Sequence, residues 1–457
     1  METKTADEKY DLLIRNARLA CPQGELQGDL AAADGRIVRI APRIEAKADE
    51  VVDAGGLLLL PGGVDAHTHL DLTVAAGHVC DGWQKGSAAA LAGGTTTVIE
   101  HIGFGPAGCS PDQPLSAAFA AAEAECGCDF RIHGVLQQVD AETESWLLRA
   151  KARGVVSWKA YMTYDFAIHG EALRRLCRMS KAAGVLLCVH CEDDAMLAAA
   201  RQALVAAGKI SPRYHAAARP AACEAAAIRE LLAAARAAGD APVYIVHLSS
   251  AAGLAEIRAA RQAGQQNVYC ETCPQYLLLD ETRYLDPEQA LRCTMSPPLR
   301  SRADADALWQ ALADGEIDVV ATDHCAFSLA QKHAHSEDFR LVPNGAPGVE
   351  ERMTLLLSAG VACGRISLAR AVEVLAANPA RLFGLAGRKG ALQEGYDADL
   401  VLFDPTAPFA FLDQNLHGGA DYTLYHGMPL TGCIRRVWTA RAARGRRQEA
   451  GGRPQTQ

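Results

Sequence analysis

The sequence lacks any segment that would place the protein in a membrane. Its first twenty residues contain no positively charged start followed by an apolar run, and no stretch has the length of uninterrupted apolar residues that a bilayer span needs. We therefore expect a cytoplasmic protein with no membrane partner.

A basic surface for nucleic acid is also missing. The 45 Lys and Arg residues are outnumbered by 54 Asp and Glu, which gives a net charge of −9, and basic residues gather only at the extreme C-terminus. Because such a chain offers no positive field to a polyphosphate, we expect a small-molecule partner and no nucleic acid.

Cysteine pairs with zinc-ribbon spacing are absent as well. The 15 cysteines are scattered, and Cys126 and Cys128, two positions apart, have no second pair at a matching interval. In a chain of this size without a secretion signal, this pattern predicts free thiols that fill small buried sites.

The composition is that of a globular protein, and 457 residues suffice for one large catalytic domain and a smaller module. Residues 10–60 alternate apolar and polar positions around turn signals such as Asp34-Gly35, and strand-like alternation returns after residue 389. We expect residues 1–60 and 389–440 to pack together as one discontinuous β-sandwich domain. Residues 441–457, rich in Arg, Gly and Gln, are predicted to be a disordered tail.

Between residues 61 and 388, short apolar runs alternate with Ala- and Leu-rich helical stretches. Eight such runs predict an α/β fold, a (β/α)8 TIM-type barrel with parallel strands. The eight runs are GVDAHTHL, TTTVIEH, FRIHGVL, VVSWKAY, VLLCVHC, VYIVHLS, NVYCET and IDVVATDH.

The histidines that are candidate metal ligands stand near the ends of three of these runs. His67 and His69 are two apart, so a strand points both imidazoles to the same side. His190 and His247 each end a further strand, and Asp323 ends the last one. Because active sites of such barrels lie at the carboxyl ends of the strands, these residues predict a site for divalent metal ions.

Lys159 is an ionisable residue in the otherwise apolar run VVSWKAY, where alternation points it into the barrel. An ammonium group beside two cations is strongly disfavoured there, so we expect the neutral amine. That amine can add CO2 to form a carbamate, which would offer one anionic oxygen to each of two metals.

Several motifs resemble the hydantoinase and dihydropyrimidinase branch of the amidohydrolase superfamily: PGGVDAHTHL, SWKAYMTYD, VHLSS, ETCPQYLLLD, MSPPLR, ATDHCAF and PNGAPGVE. The stretches HIGFGPAGC and SPRYHAAARPAACEAAAI are similar to those of bacterial D-phenylhydantoinases in particular. The resemblance covers nearly the whole chain except the tail, and it implies a homotetramer.

The resemblance also implies a role for each site residue. His67, His69 and Asp323 would bind one metal, His190 and His247 the other, and carboxylated Lys159 would bridge the two ions, with Zn, Mn or Co as the metal.

Tyr164, Ser296 and Asn344 match substrate-contacting positions. A water held between the metals would attack the ring amide, Asp323 would shuttle the proton, and Tyr164 would stabilise the oxyanion. His101, His133, His324 and Cys325, although near strand ends, match no metal ligand of the family.

The expected reaction is hydrolysis of a 5-substituted hydantoin, with a D-aromatic substituent, to an N-carbamoyl amino acid. A dihydropyrimidinase acting on dihydrouracil or dihydrothymine has the same ligands and remains an alternative. Dihydroorotase would place an arginine two residues after the second histidine, where this chain has Asp71. Allantoinase is disfavoured by Tyr164. A non-catalytic tetrameric scaffold of the same fold is a further alternative, opposed by the presence of all six ligand positions.

Overall fold

The protein is described by a computed structural model over residues 9–22, 24–106 and 108–444. The described residues begin with five strands, of which the fifth is buried along its whole length. Asp34 and Gly35 both have positive φ and form the tight turn between the second and third strands, as the sequence predicts. The five strands are β1 (Tyr10–Cys21), β2 (Gly24–Ala33), β3 (Arg36–Ala41), β4 (Ala48–Asp53) and β5 (Leu58–Pro61).

The eight runs of the central region form the parallel strands of a barrel, with a small hairpin inserted after the first of them. Their order around the sheet follows the chain, and a parallel bridge from Thr68 to His324 joins the two ends of the sheet. The strands are β6 (Gly63–Thr68), the hairpin β7 (Thr73–Val74) and β8 (Gly77–His78), β9 (Thr95–His101), β10 (Asp129–Val135), β11 (Ser157–Tyr161), β12 (Leu186–His190), β13 (Val243–Ile245), β14 (Val268–Thr272) and β15 (Val319–Val320).

Helices lie between successive strands, as parallel crossovers require. Two π-helical stretches, Leu356–Ala362 and Glu373–Ala377, directly follow the helical segments Arg352–Leu355 and Leu368–Val372. The helices are α1 (Gly82–Ala92), α2 (Asp112–Glu125), α3 (Thr143–Ala152), α4 (Gly170–Ala183), α5 (Asp194–Ala206), α6 (Ala221–Ala237), α7 (Ala251–Gln262), α8 (Pro274–Leu278), α9 (Pro287–Arg292), α10 (Arg302–Ala313), α11 (Leu329–His333), α12 (Arg352–Leu355), α13 (Leu368–Val372) and α14 (Asn378–Leu382). Among the described residues, no helix combines the length and the apolar character that a membrane crossing would require.

The last two strands, β16 (Leu400–Phe409) and β17 (Leu430–Trp438), return to the N-terminal strands. All seven belong to one sheet in the order β17-β16-β5-β1-β2-β3, with β4 beside β1. The two ends of the chain thus build one strand-rich domain, as the sequence predicts. The domain limits at residues 60/61 and 388/389 stay predictions.

The predicted disordered tail needs a correction at its start. Residues 440–444 are helical, and Arg444 lies 3.4 Å from Asp397 while the Arg441 guanidinium stacks over Phe130. These ion-pair and ring contacts fix a segment whose composition suggested disorder. The remainder of that prediction, residues 445–457, lies outside the described residues.

Inward-facing side chains fill the barrel in two levels. Apolar residues such as Cys188, Tyr244 and Phe383 pack in its lower part, and the polar residues of the predicted site lie above them at the carboxyl ends of the strands. All fifteen cysteines are free thiols, as expected, including the buried Cys126 and Cys128.

Candidate active site

His67 and His69 come together with Asp323, the residue predicted at the end of the last strand. Oδ1 of Asp323 lies 3.1 Å from Nε2 of His67 and 3.4 Å from Nε2 of His69. Burial opposes ionisation of Asp323, but the His67 and His69 rings outweigh it and hold the pKa of the carboxyl well below its usual value. These three residues form a candidate metal-binding group.

A β-bulge helps to aim the two histidines. Asp65 pairs with Val98 and Thr68 with Glu100, so β6 holds one residue more than β9 over this interval. Val64 and Ala66 point into the apolar interior, so strict alternation would turn His67 the other way. His67 nevertheless faces the site, beside Asp323. Simple alternation does not predict this extra residue.

His190 and His247 form a second pair of rings. Nδ1 of His190 lies 2.9 Å from Nε2 of His247. Burial lowers the pKa of both rings, so both are neutral near pH 7 and able to offer lone pairs. The His247 and His67 ring centroids are 5.5 Å apart, which brings the second pair beside the first group.

His247 reaches this position through an unusual backbone. β13 ends at Ile245, and Val246 faces the apolar interior, so strict alternation would turn His247 away from it. Its φ of 40° instead lies in the left-handed region, as do the φ values of Asp323 at 53° and Tyr164 at 73°. Strained backbone of this kind is concentrated at functional sites.

Lys159 lies between the two groups of histidines. It is 1% exposed, and its Nζ is 3.4 Å from Nε2 of His67. Burial lowers the pKa of Lys159 against the weaker opposing charges of Asp323 and Glu271. The predicted inward direction is observed, and no described carboxylate lies within ion-pair distance of this ammonium.

Three of the four histidines have their outward nitrogen fixed by a group that only accepts hydrogen bonds. Nδ1 of His67 donates to Glu271, Nδ1 of His69 donates to the carbonyl of His101 at 3.0 Å, and Nε2 of His190 donates to Glu192 at 2.8 Å. In the neutral form of each ring, the inward nitrogen then carries the lone pair that a metal ion would take. This pattern is typical of metal-binding histidines, whose second nitrogen is held by a carboxylate or carbonyl.

Glu271 and Glu192 contact histidines of the candidate site, and sequence reasoning missed both. Glu271 is fully buried and also accepts from Tyr244 at 2.7 Å and from the backbone of His247 at 3.1 Å. Burial opposes ionisation of Glu192, but Arg219 and His190 outweigh it and lower its pKa to about 2. The available signal was a carboxylate in a buried strand end for Glu271, and proximity to His190 for Glu192.

The three predicted substrate-contacting residues also come together. Ser296 Oγ donates to Oδ1 of Asn344 at 2.9 Å, and it lies within hydrogen-bonding reach of the Tyr164 hydroxyl. Tyr164 is 37% exposed, which leaves its ring open to a ligand. Gly345 allows this arrangement, because a Cβ there would collide with the carbonyl of Cys325.

The histidines that were not expected to bind metal have other partners or none. His133 contacts the Ala66 carbonyl and Ser157, and it stacks on His101 with centroids 3.8 Å apart. His324 pairs with Asp81 at 2.8 Å. His101 is buried with neither ring nitrogen partnered among the described residues, and burial holds its pKa well below the usual value.

Comparisons with known proteins agree with this architecture. The D-phenylhydantoinase of Escherichia coli O1:K1 / APEC is 42% identical over 449 residues, which are 95% of this chain and 97% of that protein. The crystal structure of dihydropyrimidinase from Brevibacillus agri NCHU1002 has a TM-score of 0.91 at 34% identity, covering 94% of this chain and 93% of that one. The D-hydantoinase of a Bacillus sp. AR9 has a TM-score of 0.91 at 32% identity, covering 94% of both chains.

The sequence profile of the amidohydrolase family matches residues 58–418, from the last N-terminal strand through the whole barrel. This span contains every predicted site residue. The chain belongs to the amidohydrolase family.

Proposed function

We propose that this enzyme hydrolyses the ring amide of 5-substituted hydantoins, with a D-aromatic substituent, to N-carbamoyl amino acids. The proposal is carried by one observation: four histidine rings converge on a buried lysine, an aspartate and a tyrosine, and three of the rings have their outward nitrogen held by an acceptor. The likeness to a D-phenylhydantoinase over almost the whole chain supports the substrate class.

The residues present fit two divalent metal ions. Two ring nitrogens only 2.9 Å apart, each buried and neutral, suit a shared cation that takes both lone pairs. We propose that His67, His69 and Asp323 hold one ion, His190 and His247 hold the other, and a carbamate on Lys159 from CO2 bridges them. Zn is the expected metal, with Mn or Co accepted by the same donors.

When bound, such ions polarise a carbonyl and make a water nucleophilic near neutral pH. Asp323 would accept the proton of the attacking water and deliver it to the leaving ring nitrogen. Its carboxylate suits this role because its low pKa keeps it ionised before the reaction. Its side chain is 14% exposed, so a substrate at the mouth of the barrel can reach it.

Tyr164 and the pair Ser296 and Asn344 would bind the ring. The Tyr164 hydroxyl can donate to the oxygen that becomes negative as the amide is attacked. Ser296 and Asn344 offer hydroxyl, amide and backbone groups to the imide edge of the ring. Burial raises the pKa of Tyr164, so the phenol keeps its proton for donation.

The test is hydrolysis of D- and L-5-phenylhydantoin and of dihydrouracil by one preparation whose metal content is measured. We expect selective turnover of the D-aryl hydantoin with about two metals per chain. Preference for dihydrouracil would replace the proposal with dihydropyrimidinase, the activity named for the Brevibacillus protein. A fully metal-loaded protein inactive on all three would favour a non-catalytic scaffold or another cyclic amide.

We also propose an oligomeric state and a cellular location. The enzyme is expected to assemble as a homotetramer in the cytoplasm. Sedimentation equilibrium of the metal-loaded chain measures the first, and cell fractionation the second.

A further inference from the structure

Arg219 is a buried arginine in the segment between α5 and α6 for which the sequence gives no role. It is 5% exposed, and Pro220 follows it directly. Its backbone nitrogen donates to the Ala216 carbonyl at 3.1 Å, and its own carbonyl accepts from the guanidinium of Arg300. The backbone is thus held from both sides, and the side chain extends from a fixed point.

The guanidinium of Arg219 contacts two residues of the site at once. Nη1 pairs with the fully buried carboxylate of Glu192, and Nη2 donates to the Tyr164 hydroxyl at 3.4 Å. Its Cζ lies 5.8 Å from the centre of the Tyr164 ring. The same Glu192 oxygen that anchors Arg219 accepts from Nε2 of His190 at 2.8 Å. The Glu192 carboxylate therefore holds both Arg219, which contacts Tyr164, and His190.

These contacts set the direction of a chain of hydrogen bonds. A guanidinium can only donate, so the Tyr164 oxygen accepts from Arg219 and its proton must point elsewhere. Ser296 Oγ neighbours the Tyr164 hydroxyl and is free to accept, because its own hydrogen is donated to Asn344 Oδ1 at 2.9 Å. Donation by a cation also makes the phenol a stronger donor, because bonds in such chains polarise one another.

We propose that Arg219 is a positioning residue for the hydrolysis: anchored by Glu192, it turns the Tyr164 proton away from itself and towards the carbonyl oxygen of the substrate. The inference rests on the proposed function. A bound ring amide takes the place of Ser296 as the acceptor, and its oxygen meets a phenol that is already oriented and polarised.

The test is a double-mutant cycle between Arg219→Lys and Tyr164→Phe in the metal-loaded enzyme. Lysine keeps a cation near Glu192, but its single ammonium cannot reproduce the planar fork that reaches both partners. We expect Arg219→Lys to lower kcat by about 10- to 100-fold with a smaller change in KM, on the scale of losing one oriented donor to an oxyanion. In the Tyr164→Phe background, the same change should cost less than about twofold, because the phenol on which Arg219 acts is gone.

Arg300→Lys is the matched control, since Arg300 is equally buried and touches the Arg219 backbone but does not touch the tyrosine. Its effect should be the same in both backgrounds. Two readouts are independent of turnover: metal content per chain, and the 13C resonance of the Tyr164 ring carbon bearing the hydroxyl, assigned by its loss in Tyr164→Phe. We expect Arg219→Lys to keep its metals and to move that resonance, and Arg300→Lys to leave it in place.

Each other outcome overturns a defined claim. Equal losses of kcat from Arg219→Lys in the two backgrounds, or an unmoved resonance, would overturn the role of Arg219. Loss of metal from Arg219→Lys would overturn it too, by showing that the arginine acts through Glu192 and His190. A metal-loaded wild type that hydrolyses no cyclic amide would overturn the proposed function and this role together.

Discussion

Two buried clusters in this protein each contain a lysine, and they differ in whether the chain itself balances the lysine's charge. In the seam between the barrel and the strand-rich domain, Lys389 lies against Asp129, Asp397 and Asp399. At the carboxyl end of the barrel, Lys159 lies among histidines, and none of the described carboxylates is in contact with it. Both lysines are almost completely buried, at 6% and 1% exposure.

The pKa shifts of the two lysines have opposite signs. Burial opposes the charge of Lys389, but Asp399 and Asp129 outweigh it and raise its pKa. Burial lowers the pKa of Lys159, and the acids farther away do not compensate. The aspartates of the seam form a group whose geometry could also hold a metal. The Lys389 ammonium already supplies the positive charge there. A cluster that is complete in itself stabilises the fold, whereas an incomplete one requires something from outside the chain.

Removing Lys159 should have the largest effect of any change in the two clusters. We expect Lys159→Ala to lose both metals and more than about 10³-fold in kcat, since the ions supply several kcal/mol of transition-state stabilisation. A short-chain carboxylic acid should restore part of both, because its two oxygens can replace those of the carbamate. The measurements are metal content and turnover with and without the acid.

Lys389→Met is the control for that experiment and should keep the wild-type metal content. Full activity of Lys159→Ala without added acid would contradict the bridging role. Metal loss from Lys389→Met would show instead that the seam also controls the site.

The substitution Asp323→Asn tests whether Asp323 acts mainly as a metal ligand or mainly as the group that transfers the proton. The amide oxygen can still coordinate, so we expect metals to stay largely bound while kcat falls by about 10²–10⁴-fold, the range for general acid–base catalysis. Metal analysis and steady-state kinetics measure the two effects. A rate close to wild type would remove Asp323 from the proton transfer.

Lys389→Met tests the complete cluster through stability rather than activity. We expect the free energy of unfolding to fall by about 3–5 kcal/mol, because buried carboxylates lose their main counter-ion. The loss should be smaller at pH 5 than at pH 8, since a buried Asp399 without its partner takes up a proton more readily. Denaturant unfolding at the two pH values measures both.

The matched control is Arg388→Met, which removes another cation from Asp397 where the arginine side chain is 44% exposed. Its effect should be much smaller, because solvent screens that pair. Equal losses of unfolding free energy from Lys389→Met and Arg388→Met would contradict the claim that burial makes the Lys389 ion pairs important for stability.

A third buried lysine should show the smallest effect. Lys332 donates to the carbonyls of Thr294 and Pro343 at 3.0 and 3.1 Å, and so joins the segments that carry Ser296 and Asn344. Burial lowers its pKa to about 7, against Cys293 and Cys325. Above pH 7 the folded protein therefore binds fewer protons at this position than the unfolded chain, and its stability should rise with pH.

The rise should be at most about 1.4 kcal/mol per pH unit between pH 7 and 9, and Lys332→Met should lack it. The difference in unfolding free energy between wild type and variant is measured at each pH. Lys181→Met, which removes an exposed lysine that donates to the Gly239 carbonyl, serves as the control and should follow the wild type. Parallel curves for wild type and Lys332→Met would contradict the shifted pKa.

Local pattern was sufficient for much of the fold. All eight runs named from the sequence are barrel strands, and the strands at both ends of the chain share one sheet. Period-two alternation in β11 places Lys159 inside and Trp158 towards the helices. The prediction of a disordered tail was wrong over residues 441–444, because composition does not reveal contacts such as that of Arg444 with Asp397.

The sequence by itself identified the candidate metal ligands, since imidazole, carboxylate and amine groups at strand ends are visible as letters. It did not determine their partners. Glu271 is 204 positions from the His67 it orients, and the left-handed turn at His247 and the bulge in β6 interrupt the local period. Nor could local sequence tell Lys159 from Lys389. The tertiary structure decided that, because the charge state of a buried group depends on which neighbours the folded chain brings within a few ångströms of it.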